Sequence, residues 1–490
     1  MDTSLAQTGI EGLDDVLGGG LPRHRLHLVQ GDPGAGKTTL GLQFLLAGAA
    51  RGETVLFISL SETKEEIEAV AQSHGWSLAG VSLFELSAME QTLSLEHETT
   101  IFEPSEVELQ DTTRSLLSHI EQVKPQRVVF DSLSEIRLLS QSSLRYRRQL
   151  LALKQYFVGR NSTVLLLDDR TSESGDPQLE SLAHGVISME QIAPLHGEDR
   201  RRLRIVKMRA RRFRGGYHDF VIRTGGLTVF PRLVAAEHQF DFEPETISSE
   251  LAPLDQLLGG GLDRGTSTLI MGPPGTGKSA LALQYAMASA RRGECVGIFS
   301  FDEGLATLFT RAKALGMDLP EQVKSGRVSI RRVDPAEMSP GEFTWHVRAL
   351  VEEKHARVLV IDTLNGYLNA MPEYRLLNMQ MHELLSYLGQ QGVATILVLA
   401  LHGMVGAMES PVEISYLADT VIMVRYFEAG GRIRKAISVV KKRSGLHEDT
   451  IREFVLGREG LRVGAVLKEF TGVLTGVPQF AGELGKLIER

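Results

Sequence analysis

The chain has 490 residues, with 53 Lys and Arg against 61 Asp and Glu, and its formal charge of −8 argues against holding nucleic acid as its main task. Hydrophobic residues make up 42%, enough for two ordinary cores, and no apolar run approaches the ~20 residues of a membrane span. The single cysteine, Cys295, rules out an internal disulfide, and the first residues lack a signal-peptide pattern, so a cytoplasmic protein with no membrane contact is expected.

Strand and helix patterns alternate along the chain, the signature of an α/β fold with a mainly parallel sheet flanked by helices. The first strand, near Leu26–Val29, runs into Gly31-Asp32-Pro33-Gly34-Ala35-Gly36-Lys37-Thr38, which fits the G-x-x-x-x-G-K-[ST] P-loop, and a helix follows. Strands are then expected near Thr54–Leu60, Arg127–Phe130 and Thr163–Leu167. Arg202–Met208 and Val221–Val229 read as antiparallel strands closing one edge. The stretch from about Leu233 to Ser249 joins two halves, and its Phe240-Asp241-Phe242-Glu243-Pro244 segment reads as a linker that packs.

The second half repeats the first. A strand near Thr268–Met271 leads into Gly272-Pro273-Pro274-Gly275-Thr276-Gly277-Lys278-Ser279, 241 residues after the first P-loop. Strands follow near Cys295–Phe301, Val358–Ile361 and Thr395–Ala400, with Cys295 expected to be buried. Thr420–Arg425, Ile433–Val440 and Thr450–Leu456 read as the second antiparallel edge. At the same offset Leu13-Asp14 recurs as Leu254-Asp255, Gly18-Gly19-Gly20-Leu21 as Gly259-Gly260-Gly261-Leu262, and Arg51-Gly52-Glu53 as Arg292-Gly293-Glu294. Such a period means a duplicated domain, with boundaries expected at 1–235 and 236–490, the second carrying a C-terminal tail.

Each P-loop implies ATP and Mg²⁺. Its glycines let backbone N–H groups converge on the phosphates, and the following helix adds its dipole. The nucleotide-binding set is Gly31, Gly34, Gly36, Lys37, Thr38 and Thr39 in one half, and Gly272, Gly275, Gly277, Lys278, Ser279 and Ala280 in the other. Both lysines would reach the β/γ-phosphates. Asp131 and Asp362, each ending an apolar run, would hold Mg²⁺ together with the hydroxyls of Thr38 and Ser279. A carboxylate must also orient or deprotonate the attacking water. Ser61-Glu62 and Asp302-Glu303 stand at the expected strand ends, so the catalytic candidates are Glu62, Asp302 and Glu303. The alternative role for Glu62 is to cap a helix beginning near Thr63.

The order GG-L, P-loop, acidic pair, strand-ending aspartate and a late K-x-R resembles the KaiC family of tandem RecA-like ATPases from about Thr8 to Val463. The resemblance implies two RecA-like P-loop domains, a homo-hexamer of two stacked rings, and ATP held between neighbouring subunits. It also implies that Lys207 and Arg209, and Lys441 and Arg443, act in trans on the neighbour's phosphate. Three departures stand out. The family pattern has two consecutive glutamates where this chain has Ser61-Glu62 and Asp302-Glu303, which predicts slow hydrolysis, slowest in the first half. The clock member's phosphorylated Ser-Thr pair is Ser415-Tyr416 here, leaving Ser415 as the candidate phosphosite. The tail from Phe470 to Pro478 resembles that of the broad, non-clock KaiC-like ATPases.

Two features have ordinary accounts. Arg200 to Arg214 holds eight arginines and one lysine, read as one edge strand whose extra charges are solvated or paired across a ring, since only Phe213 could stack a base. His402 follows the last sheet strand, where Asp168-Asp169 is taken to stand in the first half, and is read as a loop histidine. The function expected is a slow ring ATPase that switches its choice of an unidentified signalling partner. The alternatives are a serine autokinase of a clock-type oscillator and a DNA-dependent RecA-like motor.

Overall fold

The computed structural model describes residues 4–85, 104–140, 142–169, 177–194, 196–369, 374–401, 417–473 and 479–480. The chain forms two compact units, Met1–Arg232 and Leu233–Arg490. The joining stretch belongs to the second: Leu233 and Ala235 enter its core, and the Phe242 ring lies under the Arg264 guanidinium.

The first unit is built on nine strands: β1 (Leu26–Gly31), β2 (Val55–Ser59), β3 (Val81–Glu85), β4 (Arg127–Asp131), β5 (Thr163–Asp169), β6 (Gly185–Ile192), β7 (Arg200–Met208), β8 (His218–Arg223) and β9 (Gly226–Phe230). Their order across the sheet is β3-β2-β4-β5-β1-β6-β7-β8-β9. The first six run parallel and the last three antiparallel. The second unit repeats this order with β10 (Ser267–Gly272), β11 (Cys295–Ser300), β12 (Val328–Arg332), β13 (Ala356–Asp362), β14 (Ala394–Ala400), β15 (Thr420–Ala429), β16 (Arg432–Lys442), β17 (Arg452–Gly457) and β18 (Gly460–Val466).

The central strands are apolar throughout because both sheet faces are covered. Alternation then sends neighbours to opposite cores. Phe57, Val129, Leu165 and Leu167 pack against the P-loop helix through Leu40, Phe44 and Leu45. Leu56, Ile58, Val128, Phe130, Val164 and Leu166 face Ile120, Tyr146 and Leu150 on the other side. The second unit divides the same way, with Leu281 and Tyr285 on one face and Phe343 and Leu388 on the other.

Several strand expectations change. β3, β6, β12 and β18 have no counterpart among the predicted strands. β3 and β12 are short outer strands in which most residues are half-buried or exposed, so neither shows a clear apolar run or alternation. Val221–Val229 is a hairpin, because Gly225 and Gly226 take φ of 100° and 108° and turn the chain back. β15 pairs parallel with β10 and antiparallel with β16, so it joins the two parts of its sheet. β7 is interior, with β6 on one side and β8 on the other. Its arginines therefore find partners within the unit: Arg202 pairs with Glu190 at 2.8 Å and, with Arg204, stacks on Tyr217. Cys295 opens its strand half-buried.

Two buried histidines mark the first unit. His27 in β1 meets the Pro22 carbonyl at 2.9 Å. His218 in β8 meets the Arg214 carbonyl at 3.0 Å, and its Nδ1 accepts from Arg232 N at 2.8 Å, which fixes the neutral ring. Burial lowers both pKa values from 6.5 to about 4. Unfolded histidines bind protons below about pH 6.5 and these do not, so their contribution is intact above that pH and is lost as pH falls towards 4. The loss is up to about 1.4 kcal/mol per histidine per pH unit. Thr268 stands where His27 does in the other unit. We expect the denaturant midpoint of the first unit, followed by Trp76 fluorescence in a Trp345→Phe protein, to fall steeply across this window.

Two candidate nucleotide sites

In parallel sheets the chemistry gathers where the strands end. β1 ends at Gly31 and β10 at Gly272, and each loop turns into a helix, Lys37–Ala49 or Lys278–Arg291. Gly34 and Gly36 take φ of 79° and 94°, Gly275 and Gly277 of 79° and 101°, which side chains with a Cβ rarely adopt. A Cβ on Gly31 or Gly272 would lie 2.5 or 2.0 Å from the carbonyl oxygen of Met189 or Val424. The glycine caps carry no side-chain acceptor. The N–H groups of Lys37, Thr38 and Thr39, and of Lys278, Ser279 and Ala280, therefore open the helices as an anion cradle.

Both lysines are buried and reach back over the loop: Lys37 Nζ donates to the Asp32 carbonyl at 2.8 Å, and Lys278 Nζ to that of Pro273 at 2.7 Å. Burial pulls the Lys278 ammonium down to about 8, opposed by the charge of Asp362. Thr38 Oγ1 donates to Asp131 Oδ2 at 2.6 Å, and Ser279 Oγ to Asp362 Oδ1 at 3.0 Å. Burial raises both aspartates above the usual carboxylate range, a cost that a cation at these oxygens would relieve. The donors are hard oxygens, which fit Mg²⁺ shared with phosphate. Among the described residues no cluster of three or more His, Cys, Asp or Glu side chains forms an all-protein metal cage.

Glu62 and Glu303 follow β2 and β11 in matching turns, with Ser59 Oγ and Ser300 Oγ donating to their carbonyls. The helix Lys64–Ser73 is capped by Thr63 with Glu66, which leaves Glu62 free of that duty. Burial raises the Glu62 carboxyl, reinforced by Asp131, Glu66 and Asp169, and its Oε2 is buried without a hydrogen bond. Burial also raises Glu303, against the pull of Arg311 at 2.8 Å. Asp302 is more exposed and accepts from the Thr363 hydroxyl. Ser279, Asp302, Glu303, Thr307, Arg311 and Asp362 are among the residues lining a cavity of about 300 Å³.

Sequence reasoning missed two charged residues that distinguish the sites. Asp169, paired across the sheet with Gly31, contacts Lys37 Nζ through Oδ1 at 2.8 Å. The same register sets Ala400 opposite Gly272, so His402 is not the partner position of Asp168-Asp169. Arg311 lies between Glu303 and Asp362, 4.0 Å from the latter, where the first unit has Val70. A register count along β5 and the 241-residue offset along the helix after β11 were the available signals.

A family model described as "ATPase: KaiC" matches residues 6–234 and again 247–468. The chain belongs to the KaiC ATPase family. It is 25% identical over 489 residues to the circadian clock protein KaiC3 of Synechocystis sp., covering 97% of this chain and 95% of that one. It is 28% identical to the circadian clock oscillator protein KaiC of Parathermosynechococcus lividus (96% and 87% covered), and 26% to that of Synechococcus elongatus (96% and 91%).

The two K-x-R pairs of this KaiC-family chain sit alike. Lys207 and Arg209 donate to the carbonyls of Glu180 and Ser181, at 2.5 and 2.8 Å. Lys441 donates to the Ala418 carbonyl at 2.6 Å, and Arg443 faces Asp419 at 3.7 Å. Lys207 pairs across the sheet with Val186, and Val186 with Leu28, so the pair lies towards the beginning of β1 while the P-loop lies at its end. Ser415, Tyr416, His402 and Leu474–Pro478 lie outside the described residues. No helix among the described residues is long and apolar enough to cross a membrane.

Proposed function

We propose that the protein is a slow, Mg²⁺-dependent ring ATPase whose nucleotide state sets its shape and its choice of a signalling partner in the cytoplasm. The observation that carries this reading is the duplicated arrangement of lysine, hydroxyl–aspartate pair and glutamate at matched strand ends. The lysines and the helix N–H groups take the phosphates. Asp131 with Thr38, and Asp362 with Ser279, would hold Mg²⁺, which supplies charge neutralisation on the transferred phosphoryl group. Glu62 and Glu303 orient the attacking water, with Asp302 beside the latter.

Lys207, Arg209, Lys441 and Arg443 stand at the end of their sheets away from their own P-loops. Serving the nucleotide of another copy accounts for that placement, and a homo-hexamer of two stacked rings supplies the copy. The second site is the main hydrolytic one and the first mainly holds the ring together. Partner pairing at Lys37 and the absence of a second carboxylate beside Glu62 support this division.

Following γ-phosphate-labelled ATP tests the reading. The label is expected to leave as inorganic phosphate at a rate that added DNA does not change. Stable label at Ser415 would make the protein an autokinase, and DNA-stimulated release would make it a motor.

A further inference from the structure

The P-loop lysines differ in what they hold. Lys37 Nζ contacts three oxygens: the Gly31 carbonyl at 3.1 Å, the Asp32 carbonyl at 2.8 Å and Asp169 Oδ1 at 2.8 Å. Lys278 Nζ has the Pro273 carbonyl at 2.7 Å, and among the described residues no carboxylate lies within 4.0 Å of it. The cause is a single position. β5 runs beside β1 with Asp169 opposite Gly31, and β14 runs beside β10 with Ala400 opposite Gly272.

We propose that Asp169 is an internal stand-in for nucleotide phosphate, a carboxylate that occupies the Lys37 ammonium and must be displaced before a β/γ-phosphate can take its place. An ammonium satisfies one strong anion at short range, and a carboxylate oxygen at 2.8 Å fills the position that a phosphate oxygen would use. The pair is well placed for exchange: the lysine end is shielded, whereas Asp169 is 37% exposed and can turn to water when released. Asp169 thus sets the two sites apart in affinity. The first discriminates against nucleotides with weak β/γ contacts, while the second offers its lysine without competition. This inference rests on both P-loops binding nucleotide.

Calorimetric titration of the full-length chain tests it. In a Lys278→Ala background, which reports the first site, Asp169→Asn is expected to tighten ATP and ADP in Mg²⁺ buffer about fivefold, the scale of a partly exposed ion pair. AMP, which has no β-phosphate, should be unaffected. Asp169→Glu should keep the original affinity. The converse change, Ala400→Asp in the otherwise unaltered chain, should weaken ATP at the second of the two sites in the titration. Unchanged or weaker ATP binding by Asp169→Asn would overturn the inference and make Asp169 a positioning residue for Lys37. An equal gain for AMP would also overturn it. Absence of ATP binding by the unaltered protein would instead remove the P-loop reading itself, and this inference with it.

Discussion

Lys278→Ala is expected to lower steady-state phosphate release by about a hundredfold, to the residual rate of the first site. The lysine is buried at the base of the second P-loop, and among the described residues the Pro273 carbonyl is its one hydrogen-bond partner, which on the proposed reading leaves its charge to the phosphates. No neighbour replaces it. Arg311, a cation lining the same site, is engaged with Glu303 at 2.8 Å and lies 4.0 Å from Asp362. The first site cannot make up the rate, because Lys37 begins in a pair with Asp169, and Ser61 stands where the second site has Asp302.

Arg127→Ala is expected to destabilise the first unit by about 3–5 kcal/mol, the usual cost of breaking a buried charge network. Arg127 is fully buried at the start of β4. Its Nε meets Glu53 at 2.5 Å, and its Nη1 donates to the Gln7 and Phe44 carbonyls, each at 2.8 Å. The side chain lies over the Phe44 ring and fits only because residue 48 is glycine: a Cβ there would come within 2.6 Å of it. Removal takes the Arg127 donor from the Gln7 and Phe44 carbonyls, strips Glu53 of its buried partner and opens a cavity beneath the P-loop helix. The second unit solves the same position with Val358, paired with Val296 as Arg127 is with Val55. The double change Arg127→Met with Glu53→Gln should therefore recover much of the loss. The midpoint of Trp76 fluorescence in denaturant, in a Trp345→Phe protein, measures both.

These two residues illustrate where the sequence is readable. Lys278 lies in a local motif whose spacing alone marks it as a candidate, and so do Lys37, Thr38 and Ser279, while Asp131 and Asp362 are marked by ending apolar strands. The central strands are legible because burial on both faces makes them uninterrupted apolar runs. Arg127 is a charged letter at the start of such a run, and its environment comes from residues 7, 44 and 53, which no periodicity connects. Asp169 and Arg311 are hidden for the same reason: one reaches Lys37 through the register of two parallel strands, the other reaches back to Glu303 over about two helical turns. The antiparallel edge was legible in kind and not in order. Position within a sheet depends on which strands pair, and β7 carries an exposed-looking arginine pattern in an interior place.

On the proposed division of labour, the second site does most of the chemistry and the first mainly holds the assembly. Phosphate release by Lys37→Ala beside Lys278→Ala, with particle size recorded for each, tests it most directly. Lys278→Ala is expected to lose turnover in a particle of unchanged size, whereas Lys37→Ala chiefly breaks the particle. Loss of most turnover by Lys37→Ala from an intact particle would contradict it, and would make Glu62 the working carboxylate.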